Sequence, residues 1–139
     1  MKTRILFIVF LTLTILSPWV AAPVSGQGQG QPVILMEVEG VINPFSARYL
    51  DRVLDIAEGS DATLVIMVLD TPGGLETSMR QMVQSILQSP VPVAVYVSPE
   101  GARAASAGLF ILMAGDIAAM APATNVGAAT PVTLGGEMD

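Results

Sequence analysis

Leu69-Asp70-Thr71-Pro72-Gly73-Gly74 decides how this sequence is read. It follows the apolar run Thr63 to Leu69 and precedes the periodic segment Leu75 to Gln88, so it marks a strand turning into a helix. Pro72 presets one turn dihedral, and the paired glycines open backbone conformations closed to other residues. Their amides can then point outward at a helix N-terminus, where unsatisfied N–H groups and the helix dipole both favour negative charge. Taken alone, the segment reads more readily as a turn that needs Pro and Gly for geometry only.

The pattern on either side repeats the theme. Val33 to Val38, Thr63 to Leu69, Val91 to Val97 and Ile117 to Met120 are short apolar runs, largely β-branched, of the kind buried in a parallel or mixed sheet. Helices are predicted between them. Asn43-Pro44 supplies an N-cap and a first-turn proline, after which Leu50, Val53, Leu54 and Ala57 fall at helical spacing up to Gly59. Leu75, Met79, Met82, Val83, Ile86 and Leu87 form one apolar face, opposite Glu76, Arg80, Gln81 and Gln84, and Pro90 ends that helix. A third helix is predicted over residues 103–114. Strands alternating with helices give an α/β fold, with function expected in loops at the carboxyl ends of the strands.

A second such loop runs from Ser98 to Phe110. It follows Val91 to Val97 and leads into a helix whose first turns are almost all small, with Ser106 as the hydroxyl among them. A lone serine in an Ala/Gly run reads first as a small residue packed against a neighbour. The two loops together point elsewhere, because outward amides and a hydroxyl, each following a strand of one sheet, are the minimum equipment for acyl transfer. Asp70, Glu100 and Asp116 also sit at strand ends or loops, where an isolated carboxylate is ordinarily just solvated.

Composition narrows the chemistry further. The 139 residues contain no His and no Cys, which excludes a Ser-His-Asp triad, a Cys-His pair, a disulfide framework and a thiolate metal site within them. No spacing calls for a metal, and no cofactor is implied. The formal charge of -6 argues against nucleic acid as a partner.

The chain opens with Lys2 and Arg4, then an apolar run from Ile5 to Leu16, then Ser17, Pro18 and small residues. This is the pattern of a secretory signal, too short to span a bilayer, with cleavage expected before Gln27. Residues 1–26 are therefore assigned as signal peptide, 27–32 as a Gly/Gln-rich linker and 33–139 as one small domain. The last residues, Leu134 to Asp139, have neither helix cap nor closing strand, so the domain is expected to be incomplete at its C-terminus.

The pair LDTPGG (69–74) and ARAASAGLFIL (102–112), with the signal segment, the opening residues 33–44 and Ala121 to Ala129, resembles the ClpP/crotonase superfamily. Within it the sequence resembles the NfeD-like membrane-bound serine proteases over most of residues 33–132. The resemblance implies a spiral of ββα units, with Ser106 as nucleophile and the backbone amides of Gly73 or Gly74 and of Ala107 as oxyanion hole. It also implies a Ser-Lys dyad, in keeping with the absence of His. The family's lysine would lie beyond Asp139, since the only lysine here, Lys2, is in the segment expected to be removed. This fragment by itself would then lack the base. Where many relatives carry His after the Gly-Ala-Ala run, this sequence has Thr130. The implied activity is cleavage of hydrophobic segments in membrane-associated proteins such as stomatin-like partners. The implied setting is an exported, membrane-associated protein, attached through regions outside this chain, that forms homo-oligomers. Leu109, Phe110 and Met113 are candidates for lining the peptide groove, though helical core is the readier reading of them.

Two other classes stay open. A crotonase-like acyl-CoA enzyme would use the same amides on a thioester enolate, but residues 27–139 offer four arginines and no lysine for the nucleotide phosphates. A non-catalytic scaffold of protease fold would gather membrane partners without needing a base.

Overall fold

The computed structural model describes residues 30–128. The signal segment, most of the linker, Thr130 and the C-terminal residues lie outside that range. Four parallel strands form the main sheet in the order β1 (Val33–Glu39), β2 (Leu64–Asp70), β3 (Val93–Val97), β5 (Ile117–Met120). Between them lie α1 (Pro44–Gly59), α2 (Glu76–Gln88) and α3 (Ala107–Ala114).

Each crossover leaves the main sheet through a short extended stretch that belongs to a second layer. Ile42 bridges Gly74, Thr71 bridges Ala104, and β4 (Arg103–Ala105) pairs in parallel with β6 (Asn125–Gly127). Strand, short strand, helix is thus the repeating unit, a ClpP-like ββα spiral. Its interior is one apolar core in which Met36, Val65, Met67, Leu69, Val93, Val95 and Val97 from the sheet meet Leu50, Met82 and Ile111 from the three helices.

Local chemistry explains where α1 starts and stops. Asn43 Oδ1 accepts from the amides of Phe45 and Ser46, and Ser46 Oγ accepts from the Asn43 amide, closing a reciprocal cap. Gly59 is the last helical residue, and Ser60 behind it donates its hydroxyl to Ile56 O at 2.7 Å. Asp51 on α1 accepts from Gln81 Nε2 and Ser85 Oγ of α2, tying the two helices side by side.

Four expectations need correction. The strand Ile117 to Met120 is exposed along its whole length, because it is the sheet edge and no helix among the described residues covers it. The apolar stripe of α2 is narrower than its spacing implied. Met82 and Ile86 are buried and Met79 and Val83 partly so, but Leu75 and Leu87 face outward, while the small Ser78 is buried where α2 packs between α1 and α3. Asp70 and Asp116 are more than solvated surface groups. Asp70 Oδ1 accepts from the Arg103 amide and Asp116 Oδ2 from the Val93 amide, each satisfying a backbone donor of a neighbouring strand. The fourth concerns residues 103–105, which form a strand where a helix was predicted. No helix among the described residues is long and apolar enough to cross a membrane.

Candidate active site

The two loops meet. Beyond the end of β2, Thr71 continues the extended path, donating its amide to Arg103 O at 2.7 Å and accepting from the Ala105 amide at 3.1 Å. On its other side β4 pairs with β6, Ala104 opposite Val126. These two ladders hold residues 103–105 extended despite the helix propensity of alanine, since tertiary pairing outweighs a few tenths of a kcal/mol per residue. The helix therefore starts at Ala107, and Ser106 stands at the junction.

That position sets Ser106 apart. Its φ of 49° and ψ of -114° place a non-glycine residue in a strained region of backbone space. Its amide is held by Gly127 O at 2.8 Å, and the residue is half-buried. Although it occupies the N-cap position of α3, its hydroxyl caps nothing. A strained serine on a strand-to-helix turn, with its oxygen free of the usual capping duty, has the geometry of a nucleophile elbow.

The glycine turn lies against it. Gly73 has φ of 109°, and a Cβ there would stand 2.7 Å from Ser106 Cβ and 3.3 Å from Oγ, so only glycine fits. The Gly73 amide is already engaged, donating to Thr71 Oγ1 at 3.0 Å. The Gly73 carbonyl accepts from the Ile42 amide at 2.9 Å. In a trans peptide C=O and N–H point oppositely, so the Gly74 N–H is turned away from Ile42. The Ala107 N–H opens the first turn of α3 and has no partner within the helix. Of the amides expected to hold an oxyanion, those of Gly74 and Ala107 have no partner among the described residues, while that of Gly73 shapes the turn.

Around the serine, Ile111 and Leu112 turn into the core, whereas Phe110 and Met113 are 43% and 72% exposed and Leu109 is half-buried. The helical-core reading of Phe110 and Met113 is therefore wrong, because the face of α3 that carries them has nothing packed on it among the described residues. No cluster of metal-ligating side chains occurs among the described residues. The residue that sequence reasoning passed over is Thr71, fully buried beside the glycines. Its signal was present: a threonine two residues before a turn amide is the pattern of a side-chain-closed turn.

With this geometry established, comparison with known proteins is informative. The family model "NfeD1b, N-terminal domain" matches residues 32–139. The chain is 43% identical over 100 residues to the membrane-bound protease PH1510 of Pyrococcus horikoshii, covering 72% of this chain and 23% of that protein. It is 35% identical over 108 residues to the membrane protein NfeD1b of Bacillus subtilis, covering 78% of this chain and 24% of that one. The chain thus spans about a quarter of the length of these curated relatives. Among solved structures, a mutant of the 1510-N membrane-bound stomatin-specific protease superposes with a TM-score of 0.71 at 40% identity, over 76% of this chain and 52% of that one. Another mutant of it, in complex with a substrate peptide, gives 0.70 at 43% identity, over 72% and 46%. ClpP1 from Listeria monocytogenes shares the fold, with a TM-score of 0.58 at 20% identity over 68% and 54%.

Proposed function

This chain belongs to the family of NfeD1b N-terminal domains, and on that premise we propose that it is the nucleophile-bearing part of a serine endopeptidase. The observation that carries the proposal is the strained, non-capping Ser106 in contact with the Gly73-Gly74 turn. A serine hydroxyl needs a base, and the described residues include neither His nor Lys. The base is a lysine supplied by polypeptide outside residues 27–139, kept neutral by burial. It takes the Ser106 proton as Oγ bonds to the peptide carbonyl carbon. The Gly74 and Ala107 amides hold the oxyanion of the tetrahedral intermediate, which collapses as the lysine returns the proton to the departing amine. Water, deprotonated by the same lysine, then hydrolyses the acyl-enzyme. Residues 27–139 alone lack the base and are inactive.

The substrate is a hydrophobic segment of a membrane-associated protein, a stomatin-like partner being the first to try, as the name of the matched protease supports. The exposed Phe110 and Met113 offer apolar surface on the helix that Ser106 begins. The protein is exported across the cytoplasmic membrane under the direction of residues 1–26, which are then removed. It works as a membrane-associated homo-oligomer, anchored outside this chain, a setting in keeping with relatives named membrane-bound.

In the full-length protein, a fluorophosphonate should label Ser106, and Ser106→Ala should abolish both labelling and peptide cleavage. Continued cleavage by that variant would sink the proposal. The absence of a base among the described residues favours one other reading, a scaffold that gathers membrane partners without cutting them. Full biological function in Ser106→Ala would select it.

A further inference from the structure

We propose that Thr71 is the positioning residue of this site, aiming the Gly74 amide at the oxyanion and fixing its distance from Ser106; the proposal rests on the serine-hydrolase reading above. Thr71 is fully buried, and every part of it is in use. Its hydroxyl accepts from the Gly73 amide at 3.0 Å and donates to Gly73 O at 3.2 Å, so one oxygen grips both ends of the residue before Gly74. The Gly73-Gly74 peptide is trans. Holding the Gly73 carbonyl therefore fixes the opposite direction of the Gly74 N–H.

The rest of Thr71 reaches the nucleophile. Its backbone N–H and C=O pair with Arg103 O and the Ala105 amide, in the strand that runs directly into Ser106. Its methyl lies on Gly108, two residues past the serine, where an added Cβ would stand 2.5 Å from Thr71 Cγ2. Hydroxyl on the amide turn, backbone on the serine strand and methyl on the serine helix make Thr71 a residue that touches all three. Oxyanion stabilisation depends on donor direction and on a separation held to a fraction of an ångström, so the residue setting both should control turnover more than binding.

The test compares Thr71→Val, which keeps the shape and removes the hydroxyl, with Thr71→Ser, which keeps the hydroxyl, in the full-length protein beside Ser106→Ala. In Thr71→Val kcat and the fluorophosphonate labelling rate should fall about 100-fold, the loss typical of a misaimed oxyanion donor, with KM within about twofold. Thr71→Ser should retain most of the wild-type kcat. Hydrogen exchange read by mass spectrometry should show one additional fast amide within residues 70–75 of Thr71→Val, from the unpartnered Gly73 N–H. Wild-type kcat in Thr71→Val, or Thr71→Ser as impaired as Thr71→Val, overturns the positioning role. If Thr71→Val does not fold, Thr71→Ser decides alone: a large loss of kcat there refutes the role, and near-normal kcat with normal exchange supports it. A Ser106→Ala variant that still cleaves overturns the hydrolase reading itself, whereas an inactive Ser106→Ala beside a fully active Thr71→Val overturns only the positioning role.

Discussion

At the scale of single residues, Ser106 sets backbone strain against the role proposed for it. A non-glycine residue at its dihedrals costs on the order of 1–3 kcal/mol, a strain retained where the surrounding structure imposes it. Here the imposition is visible: the Thr71 ladder on one side, β6 on the other, and Gly127 O on the serine amide. Ser106→Gly should therefore be more stable than Ser106→Ala by about 1 kcal/mol in chemical denaturation, after allowance for the backbone entropy of glycine, with both inactive. Equal stability would mean that the backbone relaxes and that little strain is stored. The placement of this residue was legible in the sequence, as a hydroxyl among small residues after a strand. Its conformation was not, because dihedral strain is imposed by partners distant in the chain.

At the scale of elements, caps were the most readable features. Asn43-Pro44 announced α1, and the structure shows both the cap hydrogen bonds and the first-turn proline. Asn43→Ala should cost about 1 kcal/mol, read as a lowered denaturation midpoint with unchanged slope. A change much below that would mean that water replaces the cap at no loss. The Arg80–Glu76 pair, 2.7 Å apart but with side chains 70% and 65% exposed, adds little by comparison. Less readable was β4. Arg103-Ala104-Ala105 has no local reason to be extended, and only pairing with Thr71 and β6 makes it a strand. The same reasoning applies to the width of the α2 stripe, which depends on what α1 and α3 leave uncovered.

At the scale of the whole molecule, the repeat of strand, short strand and helix builds one core beneath the sheet and, among the described residues, leaves its last strand, β5, and the Phe110 and Met113 side of α3 uncovered. The N-terminal assignment makes its own prediction: the mature protein isolated from membranes should begin at Gln27. Mass spectrometry finding Ile5 to Leu16 still attached would replace cleavage with a retained anchor. Composition and motif settled much of this protein in advance. The absence of His, Cys and Lys limits what residues 27–139 can contribute to hydroxyl, carboxylate, arginine and backbone amide, and the two glycine- and alanine-rich loops after strands mark where the proposed site lies. Those are properties of residue type and short spacing, which a chain carries whether folded or not. Tertiary structure alone decided that Gly74 faces away from Ile42 and that Ser106 is held strained at a junction. Both depend on hydrogen bonds between segments far apart in the chain, whose direction exists only once the ladders have formed.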